Sequence, residues 1–284
     1  MRQQIVLGHD GLSFPAEAVG PAEGHPVLLL HGFPQTPACW HAVAAALAGR
    51  GLRAIAPTQR GYAATARPRG TGAYRLDELV GDVLAMADGL GADRFSLVGH
   101  DWGGAVAWAV AARRPDRVER LAVLSMPHPA AFVQSLRRSA QALRSVYAGF
   151  FRFPLLPERL LTLRNGAVLR AALRRSGLPA RDADRYAEAL ATPEALGAAL
   201  AWYRAASPRD LAAVPHVSVP TLFVWSNGDP ALGRTAATGT ADHVTGPYRF
   251  EILEGASHWL PETEGERVNA LLVDHFAHSA AHAW

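Results

Sequence analysis

Compact apolar runs alternate along the first half of the chain with longer stretches in which apolar residues recur every three or four positions. Residues 26–32 (PVLLLHG), 52–58 (LRAIAPT), 94–100 (RFSLVGH) and 118–127 (VERLAVLSMP) are apolar almost throughout, the pattern of strands buried on both faces. Between them, 37–48, 76–90 and 103–113 carry helical spacing. Strands alternating with helices predict an α/β chain, with a mostly parallel central sheet and helices on both of its faces. At the start, Asp10-Gly11 separates two short runs and predicts a hairpin turn. The rhythm breaks at about 129. From there to about 215 the chain is rich in Ala, Leu and Arg, is punctuated by Pro and Gly, and shows no strand pattern. It resumes at 220–229 (PTLFVWSNGD) and 248–258 (YRFEILEGASH), and a helix over about 262–278 follows. The expected organisation is a core, 1–128 with 216–284, and a helical insertion, 129–215, after the sixth strand.

Composition narrows the class. The 284 residues are 49% hydrophobic and 19% charged, enough chain for a large core. All 28 basic residues are arginine, and the formal net charge is +3. Small clusters such as Arg137-Arg138 do not make the dense basic stripe of a nucleic-acid binder. Cys39 is the one cysteine, so no intramolecular disulfide can form. The first residues lack a long apolar leader core, and no apolar run reaches ~18 residues. The reading is a soluble cytoplasmic protein with no membrane and no nucleic-acid partner, monomeric or homodimeric.

Residues 95–105 (FSLVGHDWGGA) carry the chemistry. A strand feeds a Gly-x-Asp-x-Gly turn and a helix follows, the setting of a nucleophile elbow. Gly99 and Gly103 would permit a turn too sharp for side chains, with Asp101 in a strained backbone conformation. The Trp102 N–H would then face the site as an oxyanion donor. A serine here needs a base before it can attack, whereas a carboxylate is already ionised at pH 7. Asp101 therefore suits attack on a saturated carbon bearing a leaving group, giving an ester that water must hydrolyse. The plainer alternative is an Asp that caps the following helix.

Three further stretches complete a constellation. HGFP (31–34) ends the first core strand, and its Phe33 N–H is the second expected oxyanion donor. Asp229, in WSNGD (225–229), could orient a histidine through Nδ1–H; the alternative is a turn Asp before Pro230. His258, in EGASHW (254–259), follows the last strand and would activate the water. The chain order Asp101, Asp229, His258 is nucleophile, acid, base. Asp242 is a weaker rival for the acid. No metal-ligand spacing stands out; His275, His278 and His282 could share a helix face, but they fall in a tail. His128, in MPHP, is a hinge residue or a substrate contact.

HGFPQT, APTQRGYAATARP, VGHDWGGAVAW and GASHW together resemble the epoxide hydrolases of the α/β-hydrolase superfamily, over nearly the whole chain. Thr58 stands where that family's second motif has Asp, and Ala63 where it has Gly. The resemblance implies the α/β-hydrolase fold, with the insertion as a helical cap that contributes two tyrosines to grip the epoxide oxygen. These map onto Tyr147, in YAGFFRFP, and Tyr203, in AWYR, where Ala201 replaces the family's Asn. A neutral phenol more acidic than the alcohol formed suits that role; packing aromatics are the alternative. The implied substrate is a small, apolar epoxide, and no cofactor or metal is needed. Asp101, Asp229, His258, Tyr147 and Tyr203 are catalytic, Phe33 and Trp102 form the oxyanion hole, and His31, Pro34, Trp102, Phe150 and Trp259 border the substrate. Haloalkane and haloacid dehalogenases share the Asp; a non-catalytic relative and an epoxide-opening cyclase also remain open.

Overall fold

A computed structural model describes residues 2–277. The strands are β1 (Arg2–His9), β2 (Leu12–Val19), β3 (Pro26–Leu30), β4 (Arg53–Pro57), β5 (Phe95–His100), β6 (Val118–Leu124), β7 (Thr221–Ser226) and β8 (Tyr248–Leu253). They form one sheet in the order β1-β2-β4-β3-β5-β6-β7-β8, in which β2 runs antiparallel to β1 and β4 and every other pairing is parallel. Every residue of β5 and β7 is buried, as continuous apolar strands in a sheet covered on both faces must be. The expected Asp10-Gly11 hairpin joins β1 and β2, and both of its turn residues have positive φ, the requirement of a tight primed turn.

Helices α1 (His41–Ala48), α2 (Leu76–Gly89) and α3 (Trp102–Arg113) lie between the first strands. The helix expected over 37–48 divides into a 3₁₀ turn, Pro37–Trp40, and α1. Between β6 and β7 run eight helices: α4 (Pro129–Arg138), α5 (Gln141–Arg144), α6 (Val146–Phe151), α7 (Leu156–Leu161), α8 (Leu163–Arg175), α9 (Ala180–Ala189), α10 (Pro193–Ala205) and α11 (Pro208–Ala212). Side-chain caps start α4, α10 and α11. Thr192 accepts the Ala195 N–H at 3.2 Å, with Pro193 in the first turn of α10, which satisfies an orphan donor and preorganises φ. Residues 230–247, for which the sequence pattern predicts no element, hold α12 (Arg234–Gly239) and a 3₁₀ turn. They are too short to show a period. The helix expected over 262–278 is α13 (Leu260–Thr263) and α14 (Gly265–Phe276).

The helical insertion is tied to the core at named points. Trp202 of α10 donates its indole N–H to the Arg60 carbonyl at 2.9 Å. The Tyr186 hydroxyl of α9 donates to Glu262 at 2.7 Å. Chain order reverses across the sheet between β3 and β5, the place where open parallel sheets form a crevice beyond the strands' carboxyl ends.

Candidate active site

Asp101 follows β5 directly at that crevice. Its φ of 51° and ψ of −125° lie where a non-glycine residue costs ~1–3 kcal/mol. Glycines make room for the turn. A methyl group on Gly103 would overlap the Leu30 carbonyl, and one on Gly32 would overlap the Asp101 side chain. The elbow therefore packs directly under the loop that leaves β3. From that loop the Phe33 N–H donates to Asp101 Oδ1 at 2.9 Å. The Trp102 backbone N–H also draws on the carboxylate. Oδ2 is left to face His258, whose Nε2 lies 3.6 Å away.

β7 and β8 deliver the other two groups. Asp229 Oδ2 meets His258 Nδ1 at 2.8 Å, while its Oδ1 accepts the Ala231 and Leu232 N–H groups at 2.7 and 3.0 Å. Both oxygens of this buried acid are thus engaged, one in fixing the loop and the other in fixing the histidine tautomer. Asp242 is exposed on its 3₁₀ turn and has no part in this. Burial alone would lower the His258 pKa, but the charge of Asp229, with the carboxylate of Asp101, raises it to about 10. Burial alone would raise the Asp101 pKa, but His258 and His100 hold it below the usual carboxylate range. The resting arrangement is an ion pair, an ionised Asp101 beside an imidazolium.

A cavity of about 500 Å³ opens above Asp101 and His258, a volume suited to a small molecule. Its walls are mostly apolar and include Phe33, Phe150, Phe151, Leu161, Leu169 and Leu173. Pro34, Phe150 and Trp259 all border it, as the sequence predicts. Tyr147 and Tyr203 reach it from α6 and α10, their rings 6.4 Å apart. A smaller cavity of about 180 Å³, on which Trp102 lies, shares Asp101 and both tyrosines. Burial, then the negative charge of Asp101, pushes both phenols above their ordinary pKa. Both are protonated donors at neutral pH, near the carboxylate.

His31 is placed differently from the expectation that it borders substrate. It is fully buried, with Nδ1 3.1 Å from the Gly32 carbonyl oxygen, and it borders neither cavity. Burial lowers its pKa to about 4. Its ring supports the loop from below, edge-on to Tyr62. His128 is also fully buried, stacked on His243 at 4.7 Å with Nε2 3.1 Å from the Pro215 carbonyl oxygen. It borders neither cavity. His278 and His282 lie outside the described residues, and His275 is a half-buried residue of α14.

Several supporting residues are not evident in the sequence pattern. His100 Nε2 lies 2.9 Å from the His258 carbonyl oxygen, and its Nδ1 2.7 Å from Gln35 Oε1. Gln35 Oε1 accepts the Gly32 N–H, and Gln35 Nε2 donates to Glu262. From α5, Arg144 Nη1 donates to the Asp229 carbonyl at 2.8 Å and Gln141 Nε2 to the Ala231 carbonyl at 2.6 Å. A helix of the insertion thereby grips the loop that carries the acid. Only the position of His100 beside the nucleophile hints at any of this.

Comparison with known proteins shows the family of the chain. The family model for the alpha/beta hydrolase fold matches residues 25–265. The AB hydrolase superfamily protein YfhM of Bacillus subtilis is 35% identical over 272 residues, covering 94% of this chain and 95% of its own. Epoxide hydrolase 4 of Homo sapiens is 33% identical over 280 residues, covering 94% and 76%. A solved structure of an epoxide hydrolase from hot-environment metagenomes superposes with a TM-score of 0.85 at 28% identity, covering 97% and 98%. The chain therefore belongs to the α/β-hydrolase fold family, within it to the epoxide hydrolases, and is a hydrolase.

Proposed function

We propose that the protein opens a small apolar epoxide through an ester on Asp101 and releases a vicinal diol. One observation carries this reading most: Asp101 Oδ1 is held by the Phe33 N–H, while Oδ2 faces His258 below a cavity bordered by two protonated phenols. In the first step Oδ2 attacks a ring carbon, the carbon–oxygen bond breaks, and its electron pair goes to the ring oxygen. Tyr147 and Tyr203 hydrogen-bond that oxygen, and one of them supplies the proton. Oδ1 becomes the ester carbonyl oxygen, already in contact with the hole formed by Phe33 and Trp102.

Ester formation removes the Asp101 charge, and the proton of His258 passes to the phenolate left by ring opening; in the second step the neutral His258, oriented by Asp229, takes a proton from water. The hydroxide attacks the carboxyl carbon of Asp101, and the N–H groups stabilise the oxyanion. The bond from that carbon to Oδ2 breaks, Oδ2 takes the proton of the new carboxylic acid, and the diol leaves carrying Oδ2, with Asp101 ionised and His258 protonated again. In this reading the insertion, 129–215, is the cap and supplies the acid phenols, while the core, 1–128 with 216–284, supplies nucleophile and base. Trp202, the cap indole nearest to Trp102, has its N–H committed to Arg60. A departing halide would lack that second donor, which favours the epoxide over a carbon–halogen bond.

Oxygen labelling tests the proposal. In a single turnover with excess enzyme in H₂¹⁸O, the label should enter the peptide containing Asp101 and not the diol. Label in the diol with none in the peptide would mean direct attack by water.

A further inference from the structure

The outer surface of the insertion does not resemble the rest of the molecule. Ten large apolar residues are exposed among the described residues, and nine of them lie between 143 and 168; the tenth is Val6. Leu143 is 76% exposed, Val146 65% and Leu155 63%, with Phe153, Leu160 and Leu163 beside them in sequence. They belong to α5, α6, α7, the start of α8 and the short connections between these elements. Each of these helices also contributes a residue to the wall of the larger cavity: Arg144, Phe150, Leu161 and Leu169 respectively. The helices are thus apolar on both sides, one side toward the cavity and one toward solvent. Soluble proteins seldom expose so concentrated an apolar set without a partner.

Charge says what kind of partner fits. Residues 137–175 contain nine arginines, eight of them exposed, and one acid. That acid, Glu158, is buried and paired with Arg204 at 2.7 Å. Asp184 of α9 pairs with Arg170 and Arg174, and the remaining arginines give the face a strong positive charge. Arg144, Arg152, Arg159 and Arg164 are interleaved with the exposed leucines and aromatics. Self-pairing about a two-fold axis would set this face against its own image and bring two sets of arginines together, which like-charge repulsion opposes. Apolar side chains projecting from an arginine-rich surface are instead the makeup of a segment that rests in a lipid interface, with apolar groups among the acyl chains and guanidinium groups at anionic headgroups.

We infer that the face formed by α5–α8 docks on an anionic lipid surface. No helix among the described residues is long and apolar enough to cross a membrane. Peripheral attachment needs none, and it revises the expectation that a membrane plays no part. The docked orientation places the cavity-lining helices at the bilayer, where an apolar substrate concentrates; this last consequence alone rests on the proposed reaction.

The test is sedimentation of the full chain with vesicles of phosphatidylcholine, or of phosphatidylcholine mixed with phosphatidylglycerol. The protein should bind the mixed vesicles, bind phosphatidylcholine alone far more weakly, and lose affinity as salt rises. Arg159→Glu with Arg164→Glu should weaken binding by ~100-fold or more. Leu155→Asp with Leu163→Asp should weaken it by ~10-fold or more. All four side chains are exposed, and unchanged melting would confirm the fold. Three results would overturn the inference: no binding to anionic vesicles, binding that survives both double variants, or a solution dimer that Leu155→Asp with Leu163→Asp abolishes. The last would assign the face to a second copy of this chain. Vesicle binding is read without any turnover, so its failure leaves the proposed reaction standing, and failure of the oxygen-labelling result leaves the docking inference standing.

Discussion

The core half of the site and the insertion half hold their functional groups by different means. Asp101, Asp229 and His258 stand beyond the ends of β5, β7 and β8, on tight turns, and each has fixed polar partners. Tyr147 and Tyr203 stand on helices and are placed by aromatic contacts: Tyr203 against Phe33, Trp102 and Phe151, and Tyr147 against Phe151. The residue as a whole is 40% exposed for Tyr147 and 5% for Tyr203. Backbone and hydrogen bonds specify the first half within tight limits. Packing specifies the second half.

The largest break in this comparison comes from the core. Asp101→Asn should reduce turnover on the order of 10⁴-fold or more. The same variant removes a charge that supports the His258 proton. The His258 pKa, held at about 10 against an ordinary 6.5, should fall in Asp101→Asn, as NMR titration of the imidazole would show. The sign for stability follows from a pKa that folding raises. This pairing stabilises the fold fully below pH 6.5, and that contribution is lost as pH rises through about 10. Urea unfolding against pH should show a smaller contribution in the variant, with its loss complete at a lower pH.

A smaller effect is expected from the insertion's phenols. Tyr203→Phe and Tyr147→Phe should each slow ester formation by ~10²-fold while leaving ester hydrolysis nearly unchanged. Rapid-quench kinetics separates the two steps, and equal slowing of both would show that the phenols act on more than ring opening.

Glycines sharpen the comparison through stability. Gly103→Ala places a methyl group against the Leu30 carbonyl and should cost about 3 kcal/mol in urea unfolding. Gly149→Ala meets nothing within 4 Å inside α6 and should stabilise by about 0.5 kcal/mol. The smallest effect on turnover is expected where the halves meet. Arg144→Ala frees the Asp229 loop from α5 and should lower turnover by a few-fold, about 1 kcal/mol. Retained activity in the variant with an unshifted pH profile would mean that the loop is held without the strap.

The same contrast explains what could be read along the chain. The parallel strands, the Asp10-Gly11 turn, the Asp101 elbow and the placement of Asp229 and His258 after β7 and β8 follow from local pattern, because strand ends and glycine turns are local devices. The insertion was legible as helices, and Trp-Tyr-Arg pointed to Tyr203. The wall residues Phe151, Leu161, Leu169 and Leu173 were not legible. Which face of a short helix looks into a cavity depends on neighbours distant in sequence, and α8 opens with left-handed residues Arg164, Asn165 and Gly166 that no hydrophobic period reveals. His31 looked like a site residue because it stands beside the loop of Phe33, yet the turn sends its side chain into the core. Gln35 and Glu262 lie 227 positions apart, beyond the reach of any local pattern.

The central claim is an ester on Asp101, and His258→Ala tests it most directly. The folded variant, incubated with a simple aryl epoxide, should retain ring opening and lose ester hydrolysis. Intact and peptide mass spectrometry should then find the whole mass of the epoxide added on Asp101. A folded variant that carries no adduct across a panel of epoxides, or carries it on a residue other than Asp101, would contradict the account.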